Sequence, residues 1–349
     1  MFRTTHTVHF DVAADMSPIG NESVDLIVTS PPYPMIAMWD ASLAGRDSRT
    51  GKLLSEEDGP GAFESMHQQL DPVWRECWRV LREGGFACVN IGDAVRTVRG
   101  TFQLYPNHAR ILSAVLSIGF SPLPAIIWRK PTNAPTKFMG SGMLPAGAYV
   151  TLEHEYILIL RKGGKRNFRT EEARSLRQRS AIFWEERNQW FSDVWVDLRG
   201  TSQELGPGGT RSRSAAFPLE LAQRLIYMYS VQGDVVLDPF LGTGTTAAAS
   251  AMVGRHSAGF ELDASLEKAI DAQMDGVVES GRAEVTTRLA AHQFFVQTRL
   301  DDGGELKHRN AYYGFRVMTR QERGMVLTLP DSVAKVNGGH VVEQVDHPP

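Results

Sequence analysis

The chain has 349 residues, of which 42% are hydrophobic and 22% charged, with a formal net charge of −3. That is the profile of a soluble globular protein, long enough for one large domain with an insertion or for two domains. No run approaches the roughly 18 apolar residues of a membrane span, MFRTTHTVHFDVAAD at the start lacks a signal-peptide core, and Cys77 and Cys88 form neither a metal-ligand spacing nor a disulfide framework, so a cytoplasmic protein without a metal site is expected.

The charge is segregated. Residues 1–60 hold four basic and nine acidic side chains, whereas 161–187 hold nine basic and four acidic. A basic segment near an active site suits a phosphate-rich partner, although most charge clusters are solvated faces.

In chain order, Val24 to Val28 (VDLIV) is a short apolar, β-branched run and reads as a buried strand. TSPPYP follows. Pro31 and Pro32 lack an N–H and fix φ, so the chain must leave the sheet there in a stiff, extended turn. Ser30 and Tyr33 are then held at the carboxyl end of a strand, where open α/β sheets place their ligands; a plain surface turn is the alternative. Residues 39–63 (WDASLAGRDSRTGKLLSEEDGPGAF) are polar and glycine-containing, a lid over that turn or a surface loop. Cys77 in VWRECWRVL and Cys88 in GFACVNI sit in core-like periods, and His154 in LEHEYIL reads as a buried strand histidine.

Arg129, Lys130 and Lys137 form a second basic cluster. The segment from 164 to 214 combines the main cluster with FWEERNQWFSDVW, whose aromatics interleave with Arg187, Asn188 and Gln189, and with the Gly-rich connector ELGPGGTRSRS that holds Arg211. Phosphate anchoring with base-edge contacts fits that mixture; a satellite core is the other account of the rings.

GDVVLDPFLGTGTTAAAS (233–250) reads as a strand over Val235 to Leu237, Asp238 at its end, a glycine turn and a helix from about Thr245. That layout brings backbone N–H groups and a helix N-terminus against a nucleotide-like ligand, and Gly242 and Gly244 permit close approach and positive φ. No lysine follows Gly244, so a P-loop is excluded. RHSAGFELD gives another strand ending in Glu261, some 20 residues on, where an acid grips a ribose diol. Further on, ASLEKAIDAQMDGVV reads as a helix, HQFFVQTRL and YYGFRVMTR as paired strands, and the last 20 residues as mobile.

Together, TSPPY, LDPFLGTGTT and GFELD resemble the S-adenosylmethionine-dependent amino-methyltransferases of DNA, in the permuted β-class order, over about residues 8 to 265. LREGGFACVNIGD, GFSPLPAIIWRKP, TLEHEYILILRKG and AAFPLELAQRLI match further landmarks in order. The resemblance implies a Rossmann-like α/β fold: a mostly parallel twisted sheet with helices on both faces and an inserted recognition region. It divides the chain into a catalytic half (1–163), a target-recognition insertion (164–214), a cofactor half (215–265) and an accessory region with a mobile tail (266–349).

The resemblance also implies a target base swung out of duplex DNA, with catalytic roles for Ser30, Pro31, Pro32, Tyr33 and Asp93. Tyr33 offers a stacking face, the Pro31 carbonyl and Ser30 Oγ accept from the amino group, and Asp93 takes a proton or polarises Ser30, unless it is only a strand-end turn residue. Cofactor contacts fall on Asp238, Pro239, Phe240, Gly242, Gly244, Thr245, Thr246 and Glu261, with Phe217 and Pro218. DNA contacts fall on Arg129, Lys130, Lys137, Arg161, Lys165, Arg166, Arg187 and Arg211. Serine at the first position of the four-residue element goes with cytosine N4, in a restriction-modification system with a possible partner endonuclease. Adenine N6, and an inactive DNA-binding regulator, are the rivals. Monomer and homodimer stay open.

Overall fold

The computed structural model describes residues 1–130, 139–200 and 217–349. Ten strands form its main sheet: β1 (Phe2–His9), β2 (Val24–Thr29), β3 (Leu81–Ile91), β4 (Ser121–Arg129), β5 (His154–Arg161), β6 (Val194–Trp195), β7 (Val235–Asp238), β8 (His256–Phe260), β9 (Thr328–Val336) and β10 (Gly339–Asp346). Their spatial order is β6-β4-β5-β3-β2-β7-β8-β1-β10-β9. The run β3-β2-β7-β8-β1 is parallel throughout, whereas β5 and β10 oppose both of their neighbours. The result is a mostly parallel sheet with helices on both faces.

β2 shows why this frame forms. All six of its residues are buried, as a continuous apolar run must be when helices cover both faces. Alternate side chains then serve opposite layers. Leu26 and Val28 join Leu221, Leu225 and Ala248 on one face, while Ile27 joins Leu70, Val73 and Trp74 on the other; Val24 packs with Ile27 because the register of β2 on β3 shifts between Val24 and Leu26. The second layer is carried by the helix Gly59–Val80, whose first turn is closed by the Asp58 side chain on Gly61 N–H.

Three expectations change. Residues 39–63 are not a surface loop: they fold into the helices Asp40–Arg46 and Ser48–Ser55 and the start of Gly59–Val80, because Leu43 and Thr50 find buried places. HQFFVQTRL lies inside the helix Val277–Asp301, whose buried Val277, Gly281, Val285, Arg288 and His292 recur at helical spacing; the expected strand pairing shrinks to His308–Arg309 with Arg316–Val317. The final residues are not a mobile tail. They form β10 and part of β9 around a turn at Gly338 (φ 79°), and β10 pairs antiparallel with β1 from Phe2↔Gln344 to Thr7↔Gly339.

Among the described residues no helix is long and apolar enough to cross a membrane.

Candidate active site

The strand order switches direction between β2 and β7, parallel neighbours that meet in the middle of the sheet although more than 200 residues separate them. Their carboxyl ends are tied directly. Thr29 Oγ1 donates to Asp238 Oδ1 at 2.6 Å, Thr246 Oγ1 to Asp238 Oδ2 at 2.6 Å, and Phe240 N–H to Oδ1 at 3.0 Å. Burial pushes the Asp238 carboxyl up to about 6 although all three donors pull it down. Asp238 is therefore the knot between the two motifs.

Beyond it the glycine turn takes the predicted form. Gly242 and Gly244 have φ of 57° and 92°, and Gly244 is the N-cap residue of the helix Thr245–Met252. A Cβ on Gly242 would meet nothing nearer than the Phe240 carbonyl at 4.0 Å, so open space lies beside this backbone. At the tip of β8, Glu261 Oε2 accepts from Gly242 N–H at 2.8 Å and Oε1 from Asp263 N–H at 2.8 Å. Pro239 and Thr245 are buried and Phe240 is half-buried. Phe217 is buried in the core and Pro218 precedes the helix Leu219–Tyr229 as its N-cap residue.

On the other side of the knot, Pro31 and Pro32 are buried and Ser30 is half-buried. Tyr33 is only 6% exposed, so its ring is packed, and its hydroxyl is fully engaged. It donates to Glu155 Oε2 at 2.9 Å, and accepts from Ser30 Oγ at 3.0 Å and Asn90 Nδ2 at 2.9 Å. Asn90 also donates to Glu155 Oε2 at 2.7 Å, and Lys130 Nζ reaches Oε1 at 2.6 Å. Burial, and then the charge of Glu155, hold the Tyr33 phenol well above its usual range. Asn90 and Glu155 were not singled out in the sequence. The available signal was a pair of charged or polar side chains, one inside each of two otherwise apolar strands.

Asp93 stands apart from this chain of bonds. Its carboxylate accepts from His108 N–H at 3.1 Å and pairs with His108 Nδ1 at 2.8 Å, and the His108 ring stacks on Tyr156. These are the contacts of a strand-end turn residue.

The basic residues divide. Arg129 ends β4 on the crevice side, with Lys130 the next residue, and Arg129 is exposed beside Glu153 at 3.3 Å. Lys137 and Arg211 lie outside the described residues. Arg161, Lys165, Arg166 and Arg187 are not brought to the crevice. They line a separate cavity of about 1080 Å³ with Asp25, Gly84 and Ser230 at the amino ends of the strands. Arg166 is committed there to Asp234 and Asp25. The aromatics of 183–195 divide too: Trp184 and Phe191 are exposed and line that cavity, Phe183, Trp190 and Trp195 are buried, Trp195 beside Trp128 near the carboxyl end of β4, and Phe183 packs with Val285, Met325 and Leu327 of the accessory region. Internal partners, among them Glu186 on Arg288 at 2.6 Å and Arg179 on Asp346 at 2.6 Å, hold this segment against the C-terminal elements.

Comparison with known proteins gives the following. A DNA methylase family model, N6_N4_Mtase, matches residues 24–272. The type II methyltransferase M.MthZI of Methanothermobacter thermautotrophicus is 49% identical over 335 residues, covering 96% of this chain and 93% of that protein. M.MjaI of Methanocaldococcus jannaschii, also a type II methyltransferase, is 48% identical over 279 residues, 77% of this chain and 90% of that one. Among solved structures, TTHA0409 of Thermus thermophilus complexed with S-adenosyl-L-methionine superposes with a TM-score of 0.59 at 32% identity, over 79% of this chain and 95% of that chain. The cytosine-N4-specific PvuII DNA methyltransferase superposes at 0.53 with 16% identity, over 78% and 93% of the two chains, a likeness of fold alone.

Proposed function

The chain belongs to the N6/N4 DNA methylase family, and on that premise we propose that it methylates the N4 amino group of a cytosine flipped out of duplex DNA, with S-adenosylmethionine as donor, in a type II modification system. One observation carries the reading: the 2.6 Å bond from Thr29 to Asp238 joins the tip of the TSPPY strand to the tip of the LDPFLGTGTT strand, so the two motifs share a crevice.

The residues on the cofactor side fit the donor. Glu261 would take the ribose hydroxyls, the open side of Gly242 would admit the ligand against the backbone, and Thr245 and Thr246 begin the helix whose N-terminus faces it. When bound, the cofactor supplies an electrophilic methyl group on a sulfonium. Asp238 supports this half by holding the loop, its carboxylate already filled by protein donors.

Ser30 supports cytosine N4. A carboxylate or an amide at this position can also hydrogen-bond the larger purine, whereas serine leaves a smaller pocket. Its hydroxyl, donating to Tyr33, keeps lone pairs to accept from an amino group, which draws that nitrogen's own lone pair out of conjugation. Catalysis is then positioning and pre-set dipoles. For DNA, the phosphate contact is assigned to Arg129, exposed at the crevice edge, and not to the cavity arginines.

The test is to incubate the protein with duplex DNA and methyl-labelled S-adenosylmethionine, digest to nucleosides and identify the labelled one by mass. N4-methylcytosine is expected. N6-methyladenine overturns the choice of base, and no labelled nucleoside overturns the activity.

A further inference from the structure

We propose that Glu155 is a positioning residue for the transfer: through Tyr33 it fixes which way the Ser30 hydroxyl points, and it receives the proton that the amino group gives up. The proposal rests on the amino-methyltransferase reading above and deepens it.

The direction of each bond is forced. A carboxylate only accepts, so Tyr33 must donate its single proton to Glu155 Oε2 (2.9 Å). With that proton committed, Tyr33 Oη can only accept from Ser30 (3.0 Å). Ser30 must therefore donate inward, which leaves its lone pairs for a hydrogen brought by the substrate. Asn90 removes the remaining freedom by donating to both Tyr33 Oη and Glu155 Oε2. Packing does the rest: a Cβ on Gly92 would come within 3.0 Å of the Tyr33 ring and 3.2 Å of Glu155 Cγ, so both side chains lie against bare backbone. Asp93, which the sequence offered either as a proton acceptor or partner of Ser30 or as a strand-end turn residue, is turned to His108 and the helix behind it.

The step balances along this line. The exocyclic nitrogen uses its lone pair to take the methyl carbon, and the electrons of the breaking S–C bond stay on sulfur. The nitrogen, now cationic with both hydrogens, passes one to Ser30 Oγ. Ser30 passes its own proton to Tyr33, and Tyr33 passes its proton to Glu155. One proton leaves the nitrogen and one arrives on the carboxylate, with no oxidant or metal required. Lys130 Nζ, 2.6 Å from Oε1, borders the outer end of the line.

Four variants test it: Glu155→Gln, Glu155→Asp, Tyr33→Phe and the double Glu155→Gln/Tyr33→Phe. Each is measured for single-turnover methyl transfer, for S-adenosylmethionine and DNA affinity, and for melting temperature. Tyr33→Phe keeps the ring and loses only the oxygen, so it carries the test if Glu155→Gln does not fold. The expected result is a rate loss of about 10²-fold for each single variant, a magnitude typical of general acid–base groups. The double should fall no more than about threefold below the worse single, because both cut one line, and Glu155→Asp should recover part of the rate. Both affinities should stay within about threefold. A Glu155→Gln or Tyr33→Phe rate near wild type overturns the relay, as do losses that multiply in the double or affinities that fall in step with the rate. A wild-type protein that methylates no DNA removes the function and the relay together; an active wild type matched by Glu155→Gln removes the relay alone.

Discussion

The two ends of the parallel strands are both rich in polar side chains, and they handle them in opposite ways. At the amino ends the charges close on one another. Arg166 bridges Asp234 and Asp25, Arg82 reaches Asp25 at 2.6 Å, and Lys162 is absorbed by the Trp78 and Leu81 carbonyls. At the carboxyl ends the line from Lys130 through Glu155 and Tyr33 stops at Ser30, whose acceptors remain for a substrate. A high density of arginine therefore marked the stabilising end of the sheet, and a lone serine marked the chemical end. Burial explains the difference: an ion removed from water has to be paired, so charges inside a fold are consumed by it, whereas a neutral hydroxyl can be left half-satisfied at little cost.

That contrast can be broken or sharpened by four measurements, from the largest effect down. Ser30→Ala should lower single-turnover methyl transfer by on the order of 10²–10³-fold, the scale of losing one pre-set transition-state contact, with an unchanged melting curve. Arg166→Ala should do the reverse. Leaving Asp25, buried and already pushed up by burial, without its second cation should cost about 3 kcal/mol in denaturant unfolding, while the rate per folded molecule holds. If Arg166→Ala abolished transfer in folded protein, the two ends would not be separate.

Third is the knot itself. The Asp238 carboxyl is raised to about 6 in the folded chain from a reference of 3.8, by burial. A group raised in this way contributes stability that is fully present below about pH 4 and lost as pH climbs through about 6. The unfolding free energy of the wild type should therefore fall by up to about 3 kcal/mol more than that of Asp238→Asn between pH 4 and 7; parallel curves would show that the carboxylate is not desolvated. The smallest effect concerns DNA. Arg129→Ala should reduce the salt dependence of DNA affinity by about one unit of slope, the signature of a lost phosphate contact. Lys165→Ala and Arg187→Ala should leave the slope alone, and a drop there would make the amino-end cavity a DNA surface.

Most of the central sheet was legible, and the reason is local. β2, β3 and β7 are apolar runs ended by proline, glycine or aspartate, and the turn through Gly242 and Gly244 must be glycine for its φ values. What the sequence hid depends on distant partners. Arg288 and His292 are buried on the helix Val277–Asp301 only because Glu186 and Glu185, more than 100 residues earlier, reach them, while Phe294, 74% exposed, suggested a strand. Glu155 was passed over because an acid near the start of a strand looks like an edge residue until Tyr33 arrives from the turn after β2 and Asn90 from β3. The closing hairpin was the avoidable miss, since Asn337-Gly338 between alternating runs is a strong hairpin signal.

The adjacency of β2 and β7 has a consequence for biosynthesis. Thr29 and its acceptor Asp238 are 209 positions apart, so a ribosome adding 5–20 residues per second delivers the second about 10–40 s after the first. Throughout that interval an apolar ribbon with one bare hydrogen-bonding edge waits for its mate, open to pairing with a foreign strand. The nascent chain thus carries an unpaired edge at the place where the finished protein ties its two motifs together, and slow elongation lengthens that exposure.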